Sequence, residues 1–116
     1  MSDDQPTSRI RERLAGETVV VEVSGEVDAL AAPRLISYLD SLTTRDRPDV
    51  VLDLRRVTFL DCSGLTALVR ARNRALARSG RVRLVCDDPF TLRTLRVTRL
   101  AGHFTILPDA SEFRLG

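Results

Sequence analysis

Val50-Val51-Leu52-Asp53-Leu54 is a nearly unbroken apolar run between a polar loop, Thr43 to Asp49, and the pair Arg55-Arg56, which reads as a solvated turn. A short strand of this kind is expected where both faces of a sheet are covered, which a hairpin protein with one wet face does not provide. Two further runs read as strands. Thr18-Val19-Val20-Val21-Glu22-Val23 is β-branched and stops at Ser24-Gly25, and Arg81-Val82-Arg83-Leu84-Val85-Cys86 alternates polar with apolar residues.

Between these strands the period changes to that of a helix. From Ala29 to about Leu42, apolar Ala31, Leu35, Leu39 and Leu42 share one face, Asp28 is placed to cap, and Pro33 sits in the first turn. From Ser63 to about Ser79, Leu65, Leu68, Val69 and Leu76 form the expected buried stripe, and Gly80 closes the helix as a C′ residue. Asp87-Asp88-Pro89 opens a third helix running to about Leu100, with Phe90, Leu92, Leu95 and Leu100 as its apolar members. Gly102 ends it, Phe104-Thr105-Ile106 is a last short strand, and Asp109-Ala110-Ser111-Glu112 resembles a capping box. An edge strand near Ser8 to Leu14, turned by Gly16, adds an antiparallel margin. The expectation is one α/β domain with its core at about residues 8–113, a small mixed β-sheet with helices packed mainly on one face.

Composition narrows the function. The chain has 116 residues, 43% hydrophobic and 29% charged, with a net charge of +2. That is ordinary globular composition, with no apolar run near the roughly 20 residues that span a bilayer. Met1-Ser2-Asp3-Asp4-Gln5 lacks the basic and apolar regions of a signal peptide, so a cytoplasmic location without membrane insertion is expected. All 18 basic residues are arginine, scattered evenly rather than gathered into a nucleic-acid footprint. Gly25 and Gly64 are isolated rather than part of a phosphate-cradling loop, and no paired catalytic constellation can be named. With one histidine, His103, and two cysteines, no metal-ligand cluster is expected, and neither are a cofactor or catalysis.

Phe59-Leu60-Asp61-Cys62-Ser63-Gly64-Leu65 carries the chemistry: a strand ends in an aspartate and an exposed Cys-Ser pair at the start of a helix. Taken with Gly25-Glu26-Val27-Asp28 before the first helix and Val50-Val51-Leu52-Asp53-Leu54, the segment resembles the STAS family, specifically the bacterial anti-sigma factor antagonists. The resemblance implies a non-enzymatic, monomeric switch that binds an anti-sigma factor, usually a serine kinase of the histidine-kinase-like ATPase superfamily. In this family the kinase phosphorylates the hydroxyl residue directly after the motif aspartate and breaks the complex, and a phosphatase restores it. Here that position is Cys62, with Ser63 one place on, so binding is implied more strongly than phosphoregulation. The implied partner surface is Asp28, Asp61, Cys62, Ser63, Gly64 and Leu65. A second reading is a cytoplasmic STAS subunit of a membrane lipid-transport ABC complex.

The same residues have plainer roles. Asp28 and Asp61 read as helix caps, Gly64 as a point of close approach, and Asp53 as a solvent-facing carboxylate that supports a turn. A phosphate on Ser63 would meet backbone N–H groups and the positive end of the helix dipole. A thiol at a helix N-terminus tends toward thiolate, and a Cys86 ending the neighbouring strand would make a candidate redox pair with Cys62. Arg70, Arg74 and Arg78 form one face, to be read either as a contact for an acidic partner groove or as a solvated surface.

Overall fold

The computed structural model describes residues 8–113, so the N-terminal segment Met1 to Gln5 lies outside the described residues. Five strands form one sheet in the order β1-β2-β3-β4-β5, namely β1 (Ser8–Ala15), β2 (Thr18–Val27), β3 (Asp49–Leu60), β4 (Arg81–Val85) and β5 (Thr105–Leu107). The first pair is an antiparallel hairpin turned at Gly16, whose φ of 65° suits a residue without a Cβ. The other pairs are parallel, and each crossover carries a helix: α1 (Ala32–Leu42), α2 (Cys62–Ala77) and α3 (Pro89–Val97). Crossovers of one hand that always step the same way leave the helices on one face. The mixed sheet with helices on one face is therefore as expected.

The main core lies between that face and the helices. Val19, Val21 and Val23 of β2, Val50, Leu52 and Leu54 of β3, and Val82 and Leu84 of β4 meet Leu35, Leu39, Leu42, Leu68 and Leu95. Each fully buried side chain of this size contributes about 1.5–3 kcal/mol of transfer free energy. On the other face Val20, Val51 and Val85 form a smaller cluster with Ala110 and Phe113, where the chain end folds across the sheet. This second cover explains why β3 is apolar on alternate faces.

Several boundaries differ from the sequence reading. Arg55-Arg56 is not a turn: β3 runs on through both arginines to Leu60, carrying one extra residue at each of two register shifts against β2, opposite Glu22–Ser24 and Gly25–Glu26, while β2 continues to Val27. Leu76 is half exposed and is not core, because α2 buries the smaller stripe Gly64, Leu65, Ala67, Leu68, Ala71 and Ala75. The first helix begins at Ala32 rather than Ala29, and Ala32 replaces Ala31 in the buried set. The third ends at Val97, because Arg99 takes a positive φ and Leu100–His103 forms a separate 3-10 turn. The last strand is displaced by one residue, to Thr105–Leu107.

The end of α2 is also built differently. Ser79, with φ 60°, is the left-handed C′ residue, and its N–H donates to the Leu76 carbonyl while that of Gly80 donates to Ala75. Those two bonds make a Schellman ending. Gly80 is needed for space: a Cβ there would lie 2.1 Å from the Pro48 carbonyl oxygen. The nearby start of β3 is clamped by Asp49, which accepts from Thr18 Oγ1 at 2.9 Å, Arg81 Nε at 3.2 Å and Arg83 at 3.1 Å. The opposite end of the sheet, where β2 and β3 run out, carries no such clamp among the described residues and holds the motif. Among the described residues no helix is long and apolar enough to cross a membrane.

Candidate functional site

The parallel register pairs Val27 of β2 with Leu60 of β3, so the next residue on each strand, Asp28 and Asp61, emerge side by side. The Asp61 N–H reaches back to the Val27 carbonyl at 3.4 Å and closes the strand ends. Only Asp61 caps its helix as expected; Asp28 closes the turn before α1, whose N-cap is Ala31 without a side-chain cap bond, because the helix starts three residues later than the sequence reading placed it. Asp28 Oδ1 accepts from the N–H groups of Leu30 and Ala31, both at 3.1 Å, and its carbonyl takes Ala31 and Ala32, which orders the turn leading into α1. Asp61 is the N-cap of α2, its Oδ1 accepting from Ser63 N at 2.9 Å and Gly64 N at 3.2 Å.

This cap changes the expected fate of a phosphate on Ser63. Two of the first three backbone donors of α2 are already occupied by the Asp61 carboxylate, which leaves Cys62 N–H as the open one. A phosphate would therefore sit beside a carboxylate and compete with it rather than enter an empty anion site. The Ser63 side chain is half-buried, and its hydroxyl has no hydrogen-bond partner among the described residues. Cys62 is exposed at the first position of the helix, and its carbonyl accepts from Thr66 Oγ1 at 2.9 Å.

Gly64 and Leu65 are buried, so they contribute to the surface through what they support. A Cβ on Gly64 would stand 2.5 Å from Leu60 Cδ1, 2.9 Å from the Val27 carbonyl oxygen and 3.0 Å from Val27 Cγ1. The glycine lets the first turn of α2 press onto the ends of β2 and β3, and the backbone it approaches is the chain's own. Leu65 belongs to the main core and reaches the surface only as one wall of a groove of about 610 Å³ along α2, with Cys62, Thr66, Val69 and Leu100.

Arg70 and Arg74 border that groove but are engaged within the chain. Asp40 of α1 receives Arg70 in a two-pronged pair, at 3.0 and 2.8 Å, and Arg74 at 3.2 Å, and Arg74 also donates to Thr43 Oγ1. The Arg70 hydrogen bond holds the Asp40 carboxyl below its ordinary range, aided by the charge of Arg74. These arginines tie α2 to α1, and Arg78 stays exposed beyond them. His103 lies in the exposed 3-10 turn, its carbonyl accepting from Arg72. Among the described residues no group of three or more His, Cys, Asp or Glu side chains could hold a metal ion.

Asp53 and the cysteine pair need correction. Asp53 is buried rather than solvent-facing, on the sheet face opposite the helices, where Arg55 grips it at 3.0 and 2.8 Å. Burial pushes its carboxyl up, but the Arg55 hydrogen bonds and charge outweigh burial and hold it below the ordinary range. Cys62 and Cys86 are not neighbours. Asp53 pairs with Val85, so Cys86 lies level with Leu54, whereas Cys62 follows six more residues of β3, about 20 Å further along. Cys86 is buried, and burial raises its thiol pKa.

The sequence reading missed the apolar rim of this end. Leu30, in the turn capped by Asp28, is almost fully exposed, and Phe59 and Phe90 are 48% and 81% exposed. The signal lay in phase: in α3 the buried residues are Thr91 and Leu95, four apart, and Phe90 precedes that stripe.

Comparison with known proteins agrees with this architecture. A family model described as STAS domain matches residues 6–112. The chain is similar to the crystal structure of an anti-sigma factor antagonist from Mycobacterium paratuberculosis, at 28% identity and TM-score 0.82, over 90% of this chain and 89% of that one. The fold is also that of the Bacillus cell fate determinant SpoIIAA in its phosphorylated form, at 18% identity and TM-score 0.69 over 90% and 96% of the two chains. An anti-sigma-factor antagonist (STAS) domain protein from Planctomyces limnophilus shares it at 21% identity and TM-score 0.77, over 89% and 92%. No curated protein sequence matches the chain. With the family model spanning nearly the whole of the described fold, the chain belongs to the STAS domain family.

Proposed function

We propose that this protein is an anti-sigma factor antagonist: it binds an anti-sigma factor, a serine kinase of the histidine-kinase-like ATPase fold, and so indirectly frees a sigma factor for transcription. The observation that carries this reading is the Val27–Leu60 register, which sets Asp28 and Asp61 side by side next to the exposed Cys62 and the unengaged hydroxyl of Ser63. Likeness to the mycobacterial antagonist over most of both chains supports it. The contact surface is Asp28, Asp61, Cys62 and Ser63, with Gly64 and Leu65 supporting it from beneath. Ser63 is the candidate phosphoacceptor, because a thiol stands where the family places its hydroxyl. The function is binding rather than catalysis, and needs no cofactor.

The test is titration calorimetry of the reduced chain against anti-sigma ATPases from the same genome, followed by incubation with ATP and intact-mass analysis. A one-to-one complex that is lost in Asp61→Lys is expected, together with one phosphate on Ser63 that a phosphatase removes. A complex without phosphate leaves an antagonist governed by other means. Absence of any complex overturns the reading and favours the transport-subunit assignment, which co-purification with a membrane permease then checks.

A further inference from the structure

On the antagonist reading, we infer that the cleft between the end of β3 and the start of α3 is a second anchor of the partner interface, and seats an apolar side chain carried on a basic segment of the anti-sigma factor. β4 pairs with β3 only from Asp49 to Asp53, whereas β2 follows β3 to Leu60. The last part of β3 therefore projects past its neighbour, and α3 lies across the gap. Between them is a cleft of about 330 Å³ whose walls include Val57, Phe59, Leu60, Phe90 and Thr94.

Its position and charge identify the occupant. Leu60 is both a wall of this cleft and the side chain against which Gly64 packs, so the cleft adjoins the first turn of α2 and is continuous with the proposed contact surface. Phe59 and Phe90 leave apolar ring area in water beside it, and exposed aromatic rings grouped with a cleft mark contact sites. Thr58, Thr91 and Thr94 supply neutral polar lining, and the charged groups that the lining and the strand register bring to this end are acidic. Glu26 is paired with Phe59, Asp28 and Asp61 follow the Val27–Leu60 pair, and Asp88 lines the cleft itself. None of these four carboxylates is in an ion pair with a described arginine, although the chain as a whole carries +2. Arg56, three residues before Phe59, and exposed Arg93, three residues after Phe90, are the nearest basic residues in sequence to the two rings. An apolar cleft with one carboxylate in its lining and three more at the adjoining strand ends, none held by a described arginine, is complementary to an apolar anchor flanked by Lys or Arg, and the charge term acts mainly on the association rate.

The experiment uses the full chain and the purified anti-sigma ATPase that forms the one-to-one complex, with Phe90→Ser as the test variant, Leu76→Ser as the control and Asp61→Lys as the marker of the switch surface. Phe90 is exposed, so its loss leaves the melting temperature within a degree or two of the parent. Expected results are about tenfold weaker binding for Phe90→Ser, unchanged binding for Leu76→Ser, and association that slows as salt is raised. Phe90→Ser binding within twofold of the parent while Asp61→Lys binds no longer overturns the cleft and spares the antagonist reading. No complex with the parent chain overturns both. Light scattering that finds a dimer dissolved by Phe90→Ser assigns the cleft to a second copy and also overturns the inference.

Discussion

Gly64→Ala tests how closely the start of α2 sits on the sheet. The new Cβ meets three groups, and they yield unequally. Leu60 Cδ1, at 2.5 Å, is the end of a side chain that can move off its rotamer at a cost of about 0.5–1.5 kcal/mol. The Val27 carbonyl oxygen, at 2.9 Å, is backbone tied into the β2–β3 ladder and accepts the Asp61 N–H, so relief there means lifting the first turn of α2. Overpacking of this kind costs about 1–3 kcal/mol. Removing a glycine from a helix returns at most about 1 kcal/mol, and less in the first turn. The net expectation is a loss of about 1–2 kcal/mol, or about 4–10 °C in Tm for a domain of this size. Urea and thermal unfolding followed by circular dichroism measure it. Because the lift displaces the Asp61 cap and Ser63 together, binding to the proposed anti-sigma partner should weaken beyond what unfolding explains. An unchanged or raised Tm would falsify the claim that Gly64 is required by close packing.

The same structure sets three other outcomes. Ser79→Gly relieves a left-handed residue at the end of α2 and should stabilise by about 0.5–1 kcal/mol, read as a rise of a few degrees in Tm; a fall would mean that the serine does more than close the helix. Native protein treated with iodoacetamide should be alkylated at exposed Cys62 and spared at buried Cys86 until denaturant is added, and mild oxidation should give no Cys62–Cys86 disulfide within one chain. Asp53 has a folded pKa below its ordinary 3.8, so its contribution to stability is complete above that value and is lost as pH falls through the lower folded value. Unfolding free energy should therefore drop on acidification below about pH 4, and Asp53→Asn should shallow that acid limb; an equally steep limb in the variant would remove Asp53 as a cause.

The strand and helix order was legible because local period and capping chemistry agree. β-branched runs, the Asp61 and Asp88 caps and the Gly16 turn each act within a few residues, so their physical cause is contained in a short stretch of chain. The start of α2 was legible in the same way, as a carboxylate before a helix with a thiol and a hydroxyl after it. What short stretches do not contain is the partner of each side chain. Whether Arg55-Arg56 turns or continues as strand was decided by β2, which offers ladder bonds as far as Leu60. Whether Leu76 and Phe90 are core was decided by where the sheet ends, since helical phase says which residues share a face but not how far the opposing surface extends. Cys62 and Cys86 lie on adjacent segments in any parallel reading, and only the register separates them along the strand. Asp28 and Asp61, 33 residues apart in sequence, were brought to the same end of the sheet by that same register, because hydrogen bonding between parallel strands fixes which residues leave the sheet together.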